Sequence, residues 1–230
     1  MKTFLSFGFF LFFAFTISCF AQGDDPCDWG VIFSVKKDFT LGKYYVSSLP
    51  QYATTTTTNN KPLTSTGLAF EKFFDRSSLT FGVDIALDDN KLDYTGGGNR
   101  EETVTEFALK LSYNNYFRGR ESSTKVDPFW ALWASFAHYS NTITDNQSEV
   151  GNTKDEFSGS AVGFGLAFGF WWNIIESNKV SLGALYNLGG MYYPQSSYTS
   201  TNSSGTTLGN GPSSLHFGDC GAQLMLRAAF

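Results

Sequence analysis

His138 and Ser140 stand two residues apart, so on a β-strand both side chains leave the same face, an imidazole base beside a hydroxyl nucleophile. Glu156 opens the next strand on that face, where a carboxylate can orient the imidazole. A base, a nucleophile and an orienting acid at the outer end of a lipid-facing strand would serve acyl hydrolysis, with the acyl chain lying along the wall. The competing reading, and the favoured one, is a strand end whose polar residues run into a loop. No other grouping rises higher. His216 is isolated, no Cys/His spacing suits zinc and no glycine-rich phosphate loop precedes a helix, so neither metal nor cofactor is expected. Asp84 and Glu106 would work as paired carboxylates only if a lumen admitted substrate.

The elements that must hold these residues are strands. Leu79, Phe81, Val83, Ile85 and Leu87 alternate with Thr80, Gly82, Asp84 and Ala86. Val162, Phe164, Leu166, Phe168, Phe170 and Trp172 alternate with Gly163, Gly165, Ala167 and Gly169. Large apolar groups on one face and almost nothing on the other fit a wall with lipid outside and a crowded lumen inside. The same period predicts eight strands, near 28–36, 65–74, 78–88, 103–117, 127–140, 156–173, 179–193 and 213–230. Short turns at 75–77 and 176–178 and a modest one near 118–125 alternate with long Thr/Asn/Ser/Gly-rich loops at 37–64, 89–102, 141–155 and 194–212. Short periplasmic turns and long outer loops are the asymmetry of an outer-membrane barrel.

Composition agrees. In 230 residues, 17% are aromatic and only 16% charged, with 23 Gly and 24 Phe, which excludes a disordered tail and a helix-rich soluble enzyme. A net charge of −5 with no basic run excludes a nucleic-acid partner. Residues 1–21 read as a signal peptide: Lys2, then an apolar run over 4–20, then Cys19-Phe20-Ala21 as the cleavage site. The competing lipoprotein site, Thr16-Ile17-Ser18-Cys19, has Thr16 where an aliphatic residue is usual. Residues 22–230 form the barrel domain and contain no apolar run of transmembrane-helix length, so a span must be made of strands. Cys27 and Cys220 would lie roughly 30 Å apart at strand rise and should not pair.

The inward register carries Lys36, Glu71, Asp84, Glu106, Lys110, Asp219 and Arg227, a mixed-sign set that must pair to be tolerated in an otherwise small-residue lumen. Glu71 should approach Arg227 near the base. A closed salt-bridge network is favoured over a narrow pore, because eight strands leave no room for a channel. Aromatic girdles are expected at Trp29, Phe117, Trp130, Trp172 and Phe230 below and at Tyr45, Tyr139 and Tyr192 above. The loop tyrosines Tyr44, Tyr52 and Tyr198 suit anchoring or loop packing, with ligand stacking as the alternative, and the polar run 54–58 suits a mobile surface loop or an adhesive contact. Acidic loop residues Asp88, Asp89, Asp93, Asp145, Glu149 and Asp155 match no metal-loop spacing.

Ala222, Leu224, Leu226, Ala228 and Phe230 place an apolar residue at every second position up to a terminal aromatic. This resembles the closing strand of Gram-negative outer-membrane proteins, in which Leu224, Leu226 and Phe230 would form the signal read by the barrel-assembly machinery. Asp127-Pro128-Phe129 and Gly163-Phe164-Gly165-Leu166 resemble the fifth and sixth strands of the small eight-stranded barrels of the OmpA, OmpX and opacity-protein kind. The resemblance implies an all-β, eight-stranded antiparallel transmembrane barrel of up-and-down topology. It would be a monomer in the bacterial outer membrane, surrounded by lipid and lipopolysaccharide. His138-Tyr139-Ser140-Asn141 also resembles the His-x-Ser-Asn motif of the outer-membrane lipid A 3-O-deacylases, which would make Asn141 an oxyanion-hole element. In that family the motif sits on the penultimate strand. Here three strands follow it, and the corresponding stretch, 180–189, carries Tyr186 and Leu188 where His and Ser would stand. The function expected is therefore a structural or adhesin-like one exerted through long outer loops over a packed polar lumen, with lipid A or phospholipid acyl hydrolysis and a porin-like narrow pore as the alternatives.

Overall fold

Alternation of large and small residues lets each strand bury one face and leave the other to an apolar medium, and strands of this kind hydrogen-bond edge to edge until the sheet closes. The computed structural model describes residues 28–38, 64–93, 98–118, 125–147, 151–174, 180–194, 196–202, 204–210 and 214–230; at 37, 38, 64, 88, 90, 92, 147, 151, 191, 193, 196 and 214–220 it describes the backbone alone. Ten antiparallel strands form one sheet: β1 (Trp29–Asp38), β2 (Thr64–Phe73), β3 (Ser77–Asp93), β4 (Gly98–Tyr116), β5 (Val126–Gln147), β6 (Gly151–Asn173), β7 (Val180–Tyr193), β8 (Ser196–Asn202), β9 (Gly205–Asn210) and β10 (Ser214–Ala229). Sequential neighbours pair from β1 to β7, and β10 closes an eight-membered ring between β7 and β1. At the seam Gly30 faces Ala229, and the Trp29 and Phe230 backbones exchange hydrogen bonds of 3.0 and 2.8 Å.

The remaining two strands extend the wall. β8 continues β7 along β6, with Gly159 opposite Ser196 after Val162 opposite Tyr192, a one-residue shift at Pro194, which has no N–H to give the ladder. β9 returns beside β8 in register with the β7–β10 pair below.

Three sequence expectations are corrected. The stretches 89–102 and 141–155 are not long loops: β3 and β4 run to Asp93 and from Gly98, and β5 and β6 to Gln147 and from Gly151. Polar cross-strand pairs sustain these ladders, among them Thr103 donating to Asp89 at 2.5 Å and Asn146 to Asn99 at 2.8 Å. Most of 194–212 is likewise the β8–β9 hairpin rather than a loop. Tyr139 is not part of an outer girdle. It lies inside, 6% exposed, in a cluster with Ala108, Ala137 and Ala161 that Trp133 packs against. The interior is correspondingly less polar than its small residues suggest, because Ile32, Phe129, Ala131, Ala167, Trp171 and Met225 form a second apolar cluster lower down. Residues 1–21, expected to be a signal peptide, Cys27, the tyrosines at 44, 45 and 52, the run 54–58 and Glu149 lie outside the described residues. So do the side chains of Asp88, His216, Asp219 and Cys220.

The outer face carries a continuous apolar belt. On β6 the six large residues from Val162 to Trp172 are each 44–51% exposed. Ten residues at strand rise and the usual tilt give a height of about 25 Å, the thickness of an outer-membrane barrel's apolar band. At the lower rim Trp29 sits under the Lys72 ammonium, 4.8 Å from the ring centroid, and Lys72 also pairs with Asp28 at 3.0 Å. Above the belt the outward residues turn polar, and the walls of β3 to β6 continue for about as far again.

Candidate functional site

The base of the barrel is closed by side chains from seven strands. Arg227 of β10 and Glu71 of β2 both point inward near the lower rim and are almost fully buried, with Arg227 Nη1 3.5 Å from Glu71 Oε2. The carboxylate's other oxygen accepts from Ser78 at 2.5 Å and from the Tyr116 hydroxyl at 2.8 Å. The guanidinium donates in turn to Tyr116 and to Ser181, each at 3.3 Å, and lies over the Trp171 ring at 4.3 Å and the Phe73 ring at 5.2 Å. Two arms extend the network. Asn114 donates to Ser78 at 3.0 Å and to Thr80 at 2.8 Å. On the far side Ser181 donates to Asn173, and Asn173 to Asp127, each at 2.7 Å. A buried ion pair is tolerable only with such supporting bonds and flanking aromatic faces, since each charge gives up its hydration.

Directly above is a cavity of about 60 Å³ lined by Asp84 and Lys110 together with Ser34, Thr80, Ser112 and Gln223. Lys110 donates to Asn187 at 3.0 Å and sits 5.5 Å from the Trp133 ring centroid. Lys36 is half-buried, and Glu106 is buried one step higher, where Lys36, Ser65, Ala86 and Glu106 share a rung. Seen from the base, the lumen is thus an ion-pair plate, a small chamber walled by these polar groups and by Ile32, Phe129, Leu185 and Met225, and then aromatic and alanine packing.

The catalytic candidates are not assembled. His138 and Ser140 do face outward, on the same side of the wall as Glu156. Across the ladder, however, Ser140 is opposite Ser158, His138 is opposite Ser160, and Glu156 is opposite Thr142. Glu156 is therefore about 13 Å along β6 from the partner of His138, and it pairs with Lys154. The imidazole Nδ1 instead contacts Ser160 Oγ at 3.4 Å. Asn141 is on the opposite face, 1% exposed, and donates to Glu102 at 3.0 Å. The wall itself separates it from Ser140. Among the described residues no group of three or more His, Cys, Asp or Glu is placed to hold a metal ion.

At the closing strand Leu224 is outward and exposed, Leu226 and Phe230 are half-buried, and Phe230 seals the seam against Trp29. Tyr116, Ser78, Asn114, Ser181 and Asn173 are not singled out in the sequence, and Asp127 enters there only as part of a strand resemblance. Their signal is nonetheless present, since each occupies an inward position within a few residues of a lower turn, the height of Glu71 and Arg227.

Neither family models nor curated proteins match the sequence. Solved structures do. A major outer membrane protein from Thermus thermophilus superposes with a TM-score of 0.55 at 12% identity, covering 88% of this chain and 99% of that one. The outer membrane protein OprG from Pseudomonas aeruginosa gives 0.46 at 12%, covering 91% and 99%, and Neisserial surface protein A gives 0.43 at 10%, covering 88% and 97%. The likeness to the Thermus protein is one of fold, and the chain has the eight-stranded fold of the small outer-membrane barrels.

Proposed function

We propose that the chain is an integral outer-membrane barrel of a Gram-negative-type bacterium that does not conduct and that acts through the wall it raises above the membrane, as an envelope or surface-interaction protein. The Arg227–Glu71 plate across the base carries this reading, because a solute crossing the lumen would have to break a desolvated ion pair held by seven strands. The 25 Å apolar belt supports the membrane setting, since an apolar surface of that extent is not left in water by soluble monomers. Processing after residue 21, recognition of Leu224, Leu226 and Phe230 by the assembly machinery, lipopolysaccharide around the upper belt and a monomeric state belong to the same proposal. The rise of β3–β6, β8 and β9 above the belt supports a contact role, because it presents ordered polar sheet rather than bare turns. An acyl hydrolase is the weaker reading, given the separation of Glu156 and Asn141 from His138 and Ser140.

Planar-bilayer recording tests the closed lumen. Wild-type protein inserted from detergent is expected to give no steady single-channel steps at neutral pH. Regular steps of nanosiemens size would overturn the proposal and restore the pore.

A further inference from the structure

One rung of the wall differs from its neighbours. Trp133, Gly165 and Gly189 lie opposite one another on β5, β6 and β7 and all face inward. Their backbones approach so closely that a Cβ on Gly165 would strike the Leu188 carbonyl oxygen and would stand 2.6 Å from the Gly189 Cα. The Trp133 indole N–H donates through this rung to the Leu166 carbonyl at 3.2 Å. The outward side of the rung is therefore bare backbone. Below it stand Leu132, Leu166 and Leu188, while above it Ala134 and Gly190 flank Phe164, so that two of the three lipid-facing positions carry a methyl group or nothing. The result is an apolar groove of about 710 Å³ within the membrane belt, bounded on the β4 side by Leu111 and Tyr113.

A second cluster lies directly above on the same strands. About four residues up from the groove, roughly 13 Å at strand rise, the outward face carries His138 against Ser160, Ser140, and the Ser158–Ser197 hydroxyl pair at 2.7 Å. These positions contain no lysine or arginine. Phe136, Val162 and Tyr192 line the path between, all outward and 43–48% exposed. An apolar slot at hydrocarbon depth, joined by an apolar track to a hydroxyl and imidazole cluster where the belt ends, matches a single lipid end to end.

The geometry points to a specific lipid site on the outer wall of β5–β7: one acyl chain of a membrane lipid occupies the Ala134–Gly190 groove, and its ester and hydroxyl region hydrogen-bonds to His138, Ser160, Ser140 and Ser158. The inference rests on the membrane setting proposed above. It assigns the His138–Ser140 cluster to binding rather than to hydrolysis. These four positions carry no lysine or arginine, which sets the chemistry of the head recognised here: carbonyl and hydroxyl oxygens rather than a phosphate.

The test uses the full chain in dimyristoylphosphatidylcholine vesicles, with the same lipid carrying a nitroxide near the end of one chain as the probe. Wild type should hold one slowly exchanging lipid per barrel, beyond the rapidly exchanging shell. Filling the groove with Ala134→Phe and Gly190→Leu should lower its residence at least about tenfold. His138→Ala with Ser160→Ala should lower it about fivefold while leaving the groove intact. An identical lipid population in wild type and both variants would overturn the inference, as would a wild-type dimer that the groove-filling pair dissociates, which would give the groove to a second copy. Heat-modifiable migration of every variant on gels keeps the two proposals apart. A chain that never inserts in vesicles overturns the membrane setting, whereas one that inserts but holds no such lipid overturns only the site.

Discussion

Replacing Arg227 by alanine is expected to destabilise the inserted barrel by about 3–5 kcal/mol, the cost of leaving a buried carboxylate without its counter-charge. Glu71 is fully buried, and its Oε2 has no hydrogen bond among the described residues, so the guanidinium at 3.5 Å is what that oxygen faces. Ser78 and Tyr116 would still donate to Oε1, but neutral donors do not replace a charge. Alanine would also remove the planar group lying over Trp171 and Phe73. Urea titration of tryptophan fluorescence in lipid vesicles reads the effect. The double replacement Glu71→Leu with Arg227→Met should recover most of the loss, because an apolar pair of similar volume avoids desolvating either charge. A loss below about 1 kcal/mol for Arg227→Ala would place the pair among weakly contributing surface bridges instead.

The second large effect is expected at Gly165. A valine there puts its Cβ against the Leu188 carbonyl oxygen and the Gly189 Cα, both backbone atoms, and against the Trp133 ring at 2.8 Å. Backbone cannot swing aside as the end of a flexible side chain can. The cost should reach about 3 kcal/mol, the upper end of ordinary overpacking. Gly209→Ala is the control, since the nearest atom to a Cβ at that site is a Tyr198 ring carbon at an ordinary 3.6 Å. Its change should stay within about 0.5 kcal/mol. Heat-modifiable migration and urea midpoints of the two variants give the comparison, and a wild-type midpoint for Gly165→Val would show that the rung has more room than its distances allow.

How much of this is legible in the sequence depends on what each face of a strand meets. Between Leu79 and Leu87, and between Val162 and Trp172, one face meets lipid and the other a crowded interior, so the period of two is plain. Above the belt the outward face turns polar, and the inward face mixes polar residues with Tyr139, Ile143 and Phe157. The period fades there, and segments such as 98–102 and 141–147 read as loops although cross-strand Thr, Asn and Asp contacts keep them in the sheet. Tyr139 misleads for a different reason. Its aromatic type suggests a girdle, while strand parity, with His138 and Ser140 facing lipid, requires it to face inward.

The candidate site divides along the same line. Parity along a single strand is readable, and it puts Glu71 and Arg227 inside and His138, Ser140 and Glu156 outside. Register between strands is not readable without the pairing. The two-residue offset that sets Glu156 opposite Thr142 rather than Ser140 is invisible in the residue order, and it decides whether a triad exists. Tyr116, Ser78 and Ser181 escape notice because a neutral hydroxyl at an inward position looks the same whether or not an ion pair needs it.

The central claim is that β6 crosses a membrane between Val162 and Trp172 with alternate residues facing lipid, and stands in water above it. A nitroxide scan tests this most directly. Single cysteines at each position from 156 to 172, in a chain carrying Cys27→Ser and Cys220→Ser, would be labelled in vesicles and probed with oxygen, which concentrates in lipid, and with a water-soluble nickel complex. The account predicts high oxygen and low nickel access at 162, 164, 166, 168, 170 and 172, low access to both at 161, 167 and 171, and nickel access at 156 and 158. Nickel access of similar strength throughout 162–172, or no alternation there, would contradict it.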